Sequence, residues 1–451
     1  MTAEIPARRR AGGDRAAGPA APTGLARALP WAVAAVGLAT VVAGLLLTHG
    51  AGVRLGLPDA PFVGEFGLRA HPLLALSLAC FAAAAVLAPR LLSARLGAPA
   101  FAAAATVLTL VLRLVLNAGR SGTGAWDSMF RPDSFEGPNE YLPALPAFRY
   151  GTRFFLDRFA ELVPAEPVHV AGHGPLLPLL MHWLGLGTPA RLAAFCIVAG
   201  VLAVPVAYAT ARLVLGTEAG ARLATLLFAV APGALLFAVT SADAVYLLAA
   251  LLAAWGLSGR TWAARTAGAV ALAVASAFSW SLLAVGAWAA IVRLRHDGWR
   301  SALALCVLCG AALLAWFGLL YAATGFDPIG TIRSTAQVYR LGIASARPYW
   351  FWFTGSPTAF LVVLGLPISW YALRGLAAGR TLALAVFAVI AVAMVLGLTK
   401  AETERIWLYL APLVCFAAAT QLAGRDRAVR VVVVALCLQA PLWQAFFYTV
   451  W

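Results

Sequence analysis

The sequence predicts an all-α polytopic membrane protein of about 13 transmembrane helices, with a large acidic loop on one side that holds a re-entrant or interfacial helix. Three observations carry this expectation. Of 451 residues, 62% are hydrophobic and 11% charged, and mean hydropathy is +0.87. A soluble domain carries roughly a quarter charged residues, so lipid must solvate much of the apolar surface. The apolar residues fall in runs long enough for a bilayer core of roughly 30 Å, without the alternation of barrel strands. The basic residues crowd the short connections between those runs.

In chain order, residues 1–28 carry Arg8, Arg9, Arg10, Arg15 and Arg27 among Ala, Gly and Pro, and read as a disordered cytoplasmic tail. The run that follows is too long for the core of a cleaved signal peptide. Spans are expected at about 29–48, 72–88, 99–117, 189–212, 222–239, 243–258, 262–279, 281–294, 301–322, 357–377, 381–398, 404–422 and 430–449. With the N-terminus inside, the inner connections hold Arg90 and Arg95, Arg212 and Arg222, Arg260 and Arg265, Arg293, Arg295 and Arg300, Arg374 and Arg380, and Arg425, Arg427 and Arg430. Each is short and basic, as the positive-inside rule requires. The net charge of +15 is therefore a topology signal, and no nucleic-acid partner is expected. The stretch from His173 to Gly187 is too short to cross. Placed on the outer face as a re-entrant or interfacial helix, it keeps every later arginine inside.

All six cysteines lie in apolar runs, and Cys306 and Cys309 share one helix, so packing is their expected role. Seven of the 18 acidic residues fall in the outer loop 118–188: Asp127, Asp133, Glu136, Glu140, Asp157, Glu161 and Glu166. Chemistry is therefore expected outside. Carboxylates beside aromatic residues, as in Trp126-Asp127 and Asn139-Glu140-Tyr141, can take a proton from an attacking hydroxyl. They can equally solvate the loop or cap its helices. A second constellation on the same face runs Lys400-Ala401-Glu402-Thr403-Glu404-Arg405-Ile406-Trp407, with the only lysine of the chain. Charges at a membrane boundary are costly unless paired or facing a polar cavity, so a phosphate site and a local Glu404–Arg405 salt bridge are both open readings. Asp243 reads as a helix N-cap. Arg333, Arg340, Arg347 and His173 could meet an anion or merely decorate the face. Arg113 is expected to snorkel from its span, and Tyr349, Trp350 and Trp352 to form an aromatic belt. No phosphate loop, dinucleotide fingerprint, zinc spacing or nucleophile elbow is present.

Taken in order over roughly residues 99–422, these segments resemble the GT-C superfamily of polytopic glycosyltransferases. Trp126-Asp127 is similar to the Trp-Asp of the PIG-V mannosyltransferases. Asn139-Glu140-Tyr141 is similar to the acidic-aromatic motif of the protein O-mannosyltransferase and aminoarabinose transferase group. His173-Gly174-Pro175-Leu176-Leu177-Pro178 resembles the His-Pro-Pro-Leu stretch that opens a periplasmic helix, with Gly174 in place of the first proline. Ala190-Arg191-Leu192, the segment from Pro232 to Asp243 and the Glu-Arg-Ile-Trp of residues 404–407 follow in family order. The resemblance divides the chain into the tail 1–28, a two-span addition 29–98, a catalytic core 99–422 and a C-terminal span 423–451.

The resemblance implies inverting transfer of a sugar from a polyprenyl-phosphate donor to a glycan, lipid or protein acceptor. Asp127 or Glu140 would be the base. Lys400, Arg405, His173 and Arg333 would hold the departing lipid phosphate, supported by Glu404, Glu402, Asp243, Tyr141 and Trp126. No metal ligand and no cofactor is required, although a divalent cation remains open beside so many carboxylates. Alanine and arginine usage is that of a GC-rich bacterial genome. The expected location is the bacterial cytoplasmic membrane, N-terminus inside and active site outside, among membrane lipids. The alternative reading is a multi-span transporter or lipid flippase of the cell envelope, which would bury paired charges in mid-span.

Overall fold

A computed structural model describes residues 24–69, 71–238 and 240–449. Most of the expected basic tail lies outside the described residues. The chain is an all-α, membrane-embedded protein, and among the described residues six helices are long and apolar enough to cross a bilayer. They are α1 (Gly24–Leu45), continued by a π turn to Gly50, α2 (Leu74–Ser93) and α3 (Ala98–Ser121), then α5 (Pro189–Leu215), α11 (Trp299–Thr324) and α18 (Asp426–Phe446). Local sequence sets their ends. Thr188 accepts the N–H of Arg191 at the start of α5, with Pro189 in the first turn, and Gly216 at φ 70° stops it.

The other expected spans are shorter or interrupted. The range 222–239 is α6 (Glu218–Ala229) and α7 (Pro232–Phe237), parted where Pro232 opens a new helix. Next come α8 (Asp243–Leu257), α9 (Trp262–Ser276) and α10 (Ala284–Asp297), the last preceded by a 3-10 turn at Trp280–Leu283. Beyond α11, α12 (Pro328–Leu341) begins under an Asp327 cap. The single span expected at 357–377 is instead α13 (Tyr349–Leu364) and α14 (Leu366–Ala377), bent by 117°. Gly365 makes the bend with φ 133°, which side chains rarely adopt, and Pro367 restarts the helix. After α15 (Thr381–Leu396), the range 404–422 breaks into α16 (Thr403–Ile406), a 3-10 turn and α17 (Ala411–Leu422). The outer segment from His173 holds only the eight-residue α4 (Leu176–Trp183).

α13 packs along α1 in the opposite direction, and α14 meets α1 beyond the bend. Trp31 meets Trp370 edge-on at 4.7 Å, Gly37 faces Thr358, Thr40 donates to Thr354 at 3.1 Å, and Gly44 lies against Phe351. The segment 29–98 also joins the C-terminal helix, because α2 packs on α18. A two-residue ribbon reinforces this, β1 (Glu65–Phe66) pairing antiparallel with β2 (Phe447–Tyr448). Only 11% of the apolar window of α1 and of α11 is buried within the protein, against 50% for α5 and α18. Lipid must therefore cover α1 and α11, whereas α6, α7 and α17, buried along almost their whole length, form the protein core.

The arginine-rich connections converge on one face. Arg222 donates to the carbonyls of Ala94 and Leu96, Arg293 and Arg265 to Gly259, and Arg295 to Gly379. The acidic loop gathers with the 399–407 turn at the opposite ends of the helices. Trp352, expected in an aromatic belt, is instead buried, its indole N–H donating to Leu55 at 2.9 Å. Trp350 remains exposed.

Candidate active site

The site forms where the acidic loop, the α7–α8 turn, the α9–α10 turn and the 399–407 turn meet. Its centre is Arg405, 4% exposed. Arg405 Nη1 donates to Asp243 Oδ2 and Nη2 to Glu402 Oε2, both at 2.8 Å. Arg347 Nη2 donates to the other oxygen of Glu402 at 2.5 Å. The Ser241 hydroxyl donates to Asp243 at 2.6 Å. Asp243 is therefore an ion-pair partner rather than the helix cap that was expected; Ala242 occupies the cap position. Burial alone would raise Glu402, but Arg405 and Arg347 pull its carboxyl down to about 2. Two guanidiniums thus meet two carboxylates.

The turn that supplies this network is strained. Ala401 and Glu402 both adopt left-handed backbone angles, φ 68° and 57°, a conformation that costs non-glycine residues on the order of 1–3 kcal/mol. Lys400 anchors it, since Nζ donates to the carbonyls of Ala344 and Arg347 at 3.0 and 2.8 Å. Burial, then Arg347, lowers the lysine. Glu404 does not pair with Arg405. One of its oxygens accepts the Val63 N–H at 2.5 Å and the other is buried without a hydrogen-bond partner.

Next to this network lies Glu140, 2% exposed, with Oε1 3.8 Å from His169 Nε2. Glu136 stands 3.6 Å from the same nitrogen and accepts from Asn139. Burial pushes the Glu140 carboxyl above the usual range, against the pull of His169 and Arg405. Burial would lower His169, but Glu140 and Glu136 outweigh it and the imidazole is raised. Tyr141 continues inward, its hydroxyl 2.6 Å from that of Tyr246.

His173 is poised differently. Its Nδ1 is 3.1 Å from Ser279 Oγ, its ring 5.0 Å from Tyr246, and burial drops it to about 4, so it is neutral at physiological pH. The approach explains the glycine at 174. Gly174 and Leu176 donate to the carbonyls of Phe278 and Ala277, and a Cβ on Gly174 would overlap the Ala277 carbonyl. His173, Asp243, Tyr246, Ser279, Ser281 and Tyr409 line one narrow recess. A second groove, of about 460 Å³, opens to solvent between Pro138, Asn139 and Pro143 on one wall and Glu166, Pro167 and Val168 on the other. Burial lifts Glu166 to about 7. Asn139 and Val168 adjoin Glu140 and His169, so the groove lies against the buried pair.

Of the expected site residues, Glu140, Tyr141, Asp243, Glu402, Arg405 and His173 come together. Lys400 and Glu404 lie in the same turn but point to backbone partners. Asp127 is on the loop with Arg131 Nη2 at 2.5 Å, and Trp126 beside it is half-buried. Arg333 is exposed on α12. Sequence reasoning missed His169, Tyr246, Ser279, Ser281 and Tyr409. Only the two serines left a trace, a polar break between the weakly separated ranges 262–279 and 281–294. Among the described residues, no group of three His, Cys, Asp or Glu side chains is gathered to hold a metal. No family model, curated protein or solved structure matches the chain.

Proposed function

We propose that the protein is an integral membrane glycosyltransferase that moves a sugar from a polyprenyl-phosphate donor to an envelope glycan, lipid or protein acceptor. The observation that carries this reading is the buried Glu140–His169 pair. It lies between a solvent-open groove and the ion network around Arg405. A carboxylate raised by burial is a stronger base than an exposed one. Glu140 has that environment. Asp127 is neutralised by Arg131 nearer the surface, so Glu140 is the preferred base.

In the proposed step the acceptor hydroxyl, lying in the groove, loses its proton to Glu140 as its oxygen attacks the anomeric carbon. The bond from that carbon to the phosphate oxygen breaks, and the electron pair leaves with the polyprenyl phosphate, inverting the centre. Negative charge develops on the phosphate, where preorganised cations and donors help most. Arg405 can offer its charge only from within the Asp243–Glu402 network. Lys400 holds the turn in place, neutral His173 offers a hydrogen bond, and Arg333 meets the donor from the surface. The rest of the reading follows the sequence: 13 crossings, counting each broken helix as one, with the arginine face cytoplasmic and the groove extracytoplasmic.

The test is transfer of radiolabelled sugar from a panel of polyprenyl-phosphate donors in membranes containing the protein. Loss in Glu140→Gln, with Asp127→Asn active and both variants folded, supports the reading. A second reading, a transporter or lipid flippase, is favoured by Arg113. It was expected to snorkel but is 1% exposed, and no guanidinium nitrogen has a hydrogen-bond partner among the described residues. Solute or lipid movement that survives Glu140→Gln and fails in Arg113→Met would select it.

A further inference from the structure

On the arginine-rich face, away from the candidate active site, a groove of about 680 Å³ runs between α14 and α18. Its floor is apolar, formed by Pro367 and Trp370 on one side and Val431, Val432 and Ala435 on the other. Its rim is charged, with Arg425, Asp426 and Arg427 at the start of α18. Two arginines and one aspartate leave the rim one net positive charge. Arg374, on the neighbouring helix end 5.9 Å from the Tyr371 ring, adds another. At 1.5 Å per residue, Val431 to Ala435 lie roughly 6–12 Å deeper than the rim. The groove therefore passes from a cationic headgroup zone to an acyl-chain zone.

These arginines differ from others on the same face. Arg222, Arg265 and Arg293 donate to loop carbonyls and so close the helix ends. The side chains of Arg425 and Arg427 make no hydrogen bond or ion pair with any described residue. From the floor, Trp370 reaches Trp31, which is 68% exposed.

We propose that this groove is a binding site for an anionic glycerophospholipid of the surrounding membrane. The phosphate lies between Arg425 and Arg427, with Asp426 disfavouring a second negative charge close to the helix start. One acyl chain lies along Trp370, Val431 and Ala435. The charge favours an anionic over a zwitterionic lipid, and the apolar floor favours a lipid over a free anion.

The experiment uses the full chain in detergent, titrated with phosphatidylglycerol, phosphatidylcholine or inorganic phosphate, and reads bound lipid by native mass spectrometry and thermal unfolding. The expected result is tighter binding of phosphatidylglycerol than phosphatidylcholine. Arg425→Gln and Arg427→Gln each weaken phosphatidylglycerol about fivefold and phosphatidylcholine less, because the choline cation already offsets its phosphate. Ala435→Phe, which fills the floor and keeps the charge, weakens both lipids. Arg427 is exposed, so its single variant serves even where Arg425→Gln misfolds. Equal binding of the two lipids, or an unchanged preference in Arg427→Gln, overturns the proposal. Inorganic phosphate matching the lipid's effect overturns it in favour of a free-anion site.

Discussion

Arg405 donates to Asp243 at 2.8 Å across a sequence separation of 162 residues, and the same guanidinium holds Glu402 on its own turn. This fork joins the start of α8 to the 399–407 turn. Removing Asp243 leaves the buried guanidinium with one carboxylate in place of two, and breaking such a buried contact costs about 3–5 kcal/mol. Asp243→Ala is expected to lower thermal stability by that order in detergent. Arg405→Lys is expected to do the same, because an ammonium cannot make both directed contacts at once. Unfolding monitored by tryptophan fluorescence measures both.

Glu140→Gln is expected to reduce sugar transfer by about 10²–10⁴-fold, the scale of a positioned general base. Stability should stay near wild type, since the amide preserves size in a site that already disfavours the charged carboxylate. Asp127→Asn breaks the pair with Arg131 nearer the surface and should leave turnover within a few-fold. The assay is transfer from polyprenyl-phosphate sugars with both variants at matched expression.

The pH dependence follows from the same pair. As base, Glu140 must be ionised, so activity rises with pH through its raised value and then levels. Protonated His169 favours the carboxylate and holds that rise lower than burial alone would. His169→Gln removes the charge, and the acidic limb should move to higher pH. Glu402 works in the other direction. Its carboxyl is held down at about 2, so its contribution to stability is full above the ordinary carboxylate range and fades as pH falls toward 2. A pH–rate profile and unfolding midpoints across acidic pH separate the two effects.

Gly174 offers a backbone test of how the recess is built. Gly174→Ala places a methyl group against the Ala277 carbonyl, where neither chain has a flexible end to yield. The expected cost is about 1–3 kcal/mol, with loss of the His173–Ser279 contact. Thermal unfolding reads the first effect, and the chemical shift of the His173 ring reads the second.

Much of the fold was legible because lipid imposes one rule: a run of apolar residues bounded by short basic loops. Long helices such as α3, α5 and α11 therefore lie where their hydrophobicity places them. The breaks were less legible. Pro232 interrupts a run by removing a backbone donor, and Gly365 by adopting φ 133°; hydropathy is insensitive to both. In the site, charge concentration pointed to Glu140, Glu402 and Arg405, because charges at a boundary must find partners. It did not point to His169 or Tyr246. One histidine in a polar loop and one tyrosine in an apolar helix look ordinary until the fold sets His169 beside Glu140 and Tyr246 beside Tyr141, the second pair across 105 residues of sequence.

Arg113 gives the most direct test of whether the bundle keeps a charge for function. Its guanidinium lies beside Gly200 on α5, where an added Cβ would come within 2.8 Å of Nη1 and would overlap the Ala238 carbonyl. The missing side chain at 200 thus makes room for the arginine. None of its three nitrogens has a hydrogen-bond partner among the described residues. An unpaired buried charge costs several kcal/mol, and replacing such a group with an apolar one of similar volume is often neutral or stabilising by about 1–4 kcal/mol. Arg113→Met is therefore expected to raise thermal stability. If the arginine serves only packing, transfer or transport stays at the wild-type rate. Lost activity in a more stable protein instead identifies a charge held for a substrate or an ion, since a merely structural role cannot produce both changes.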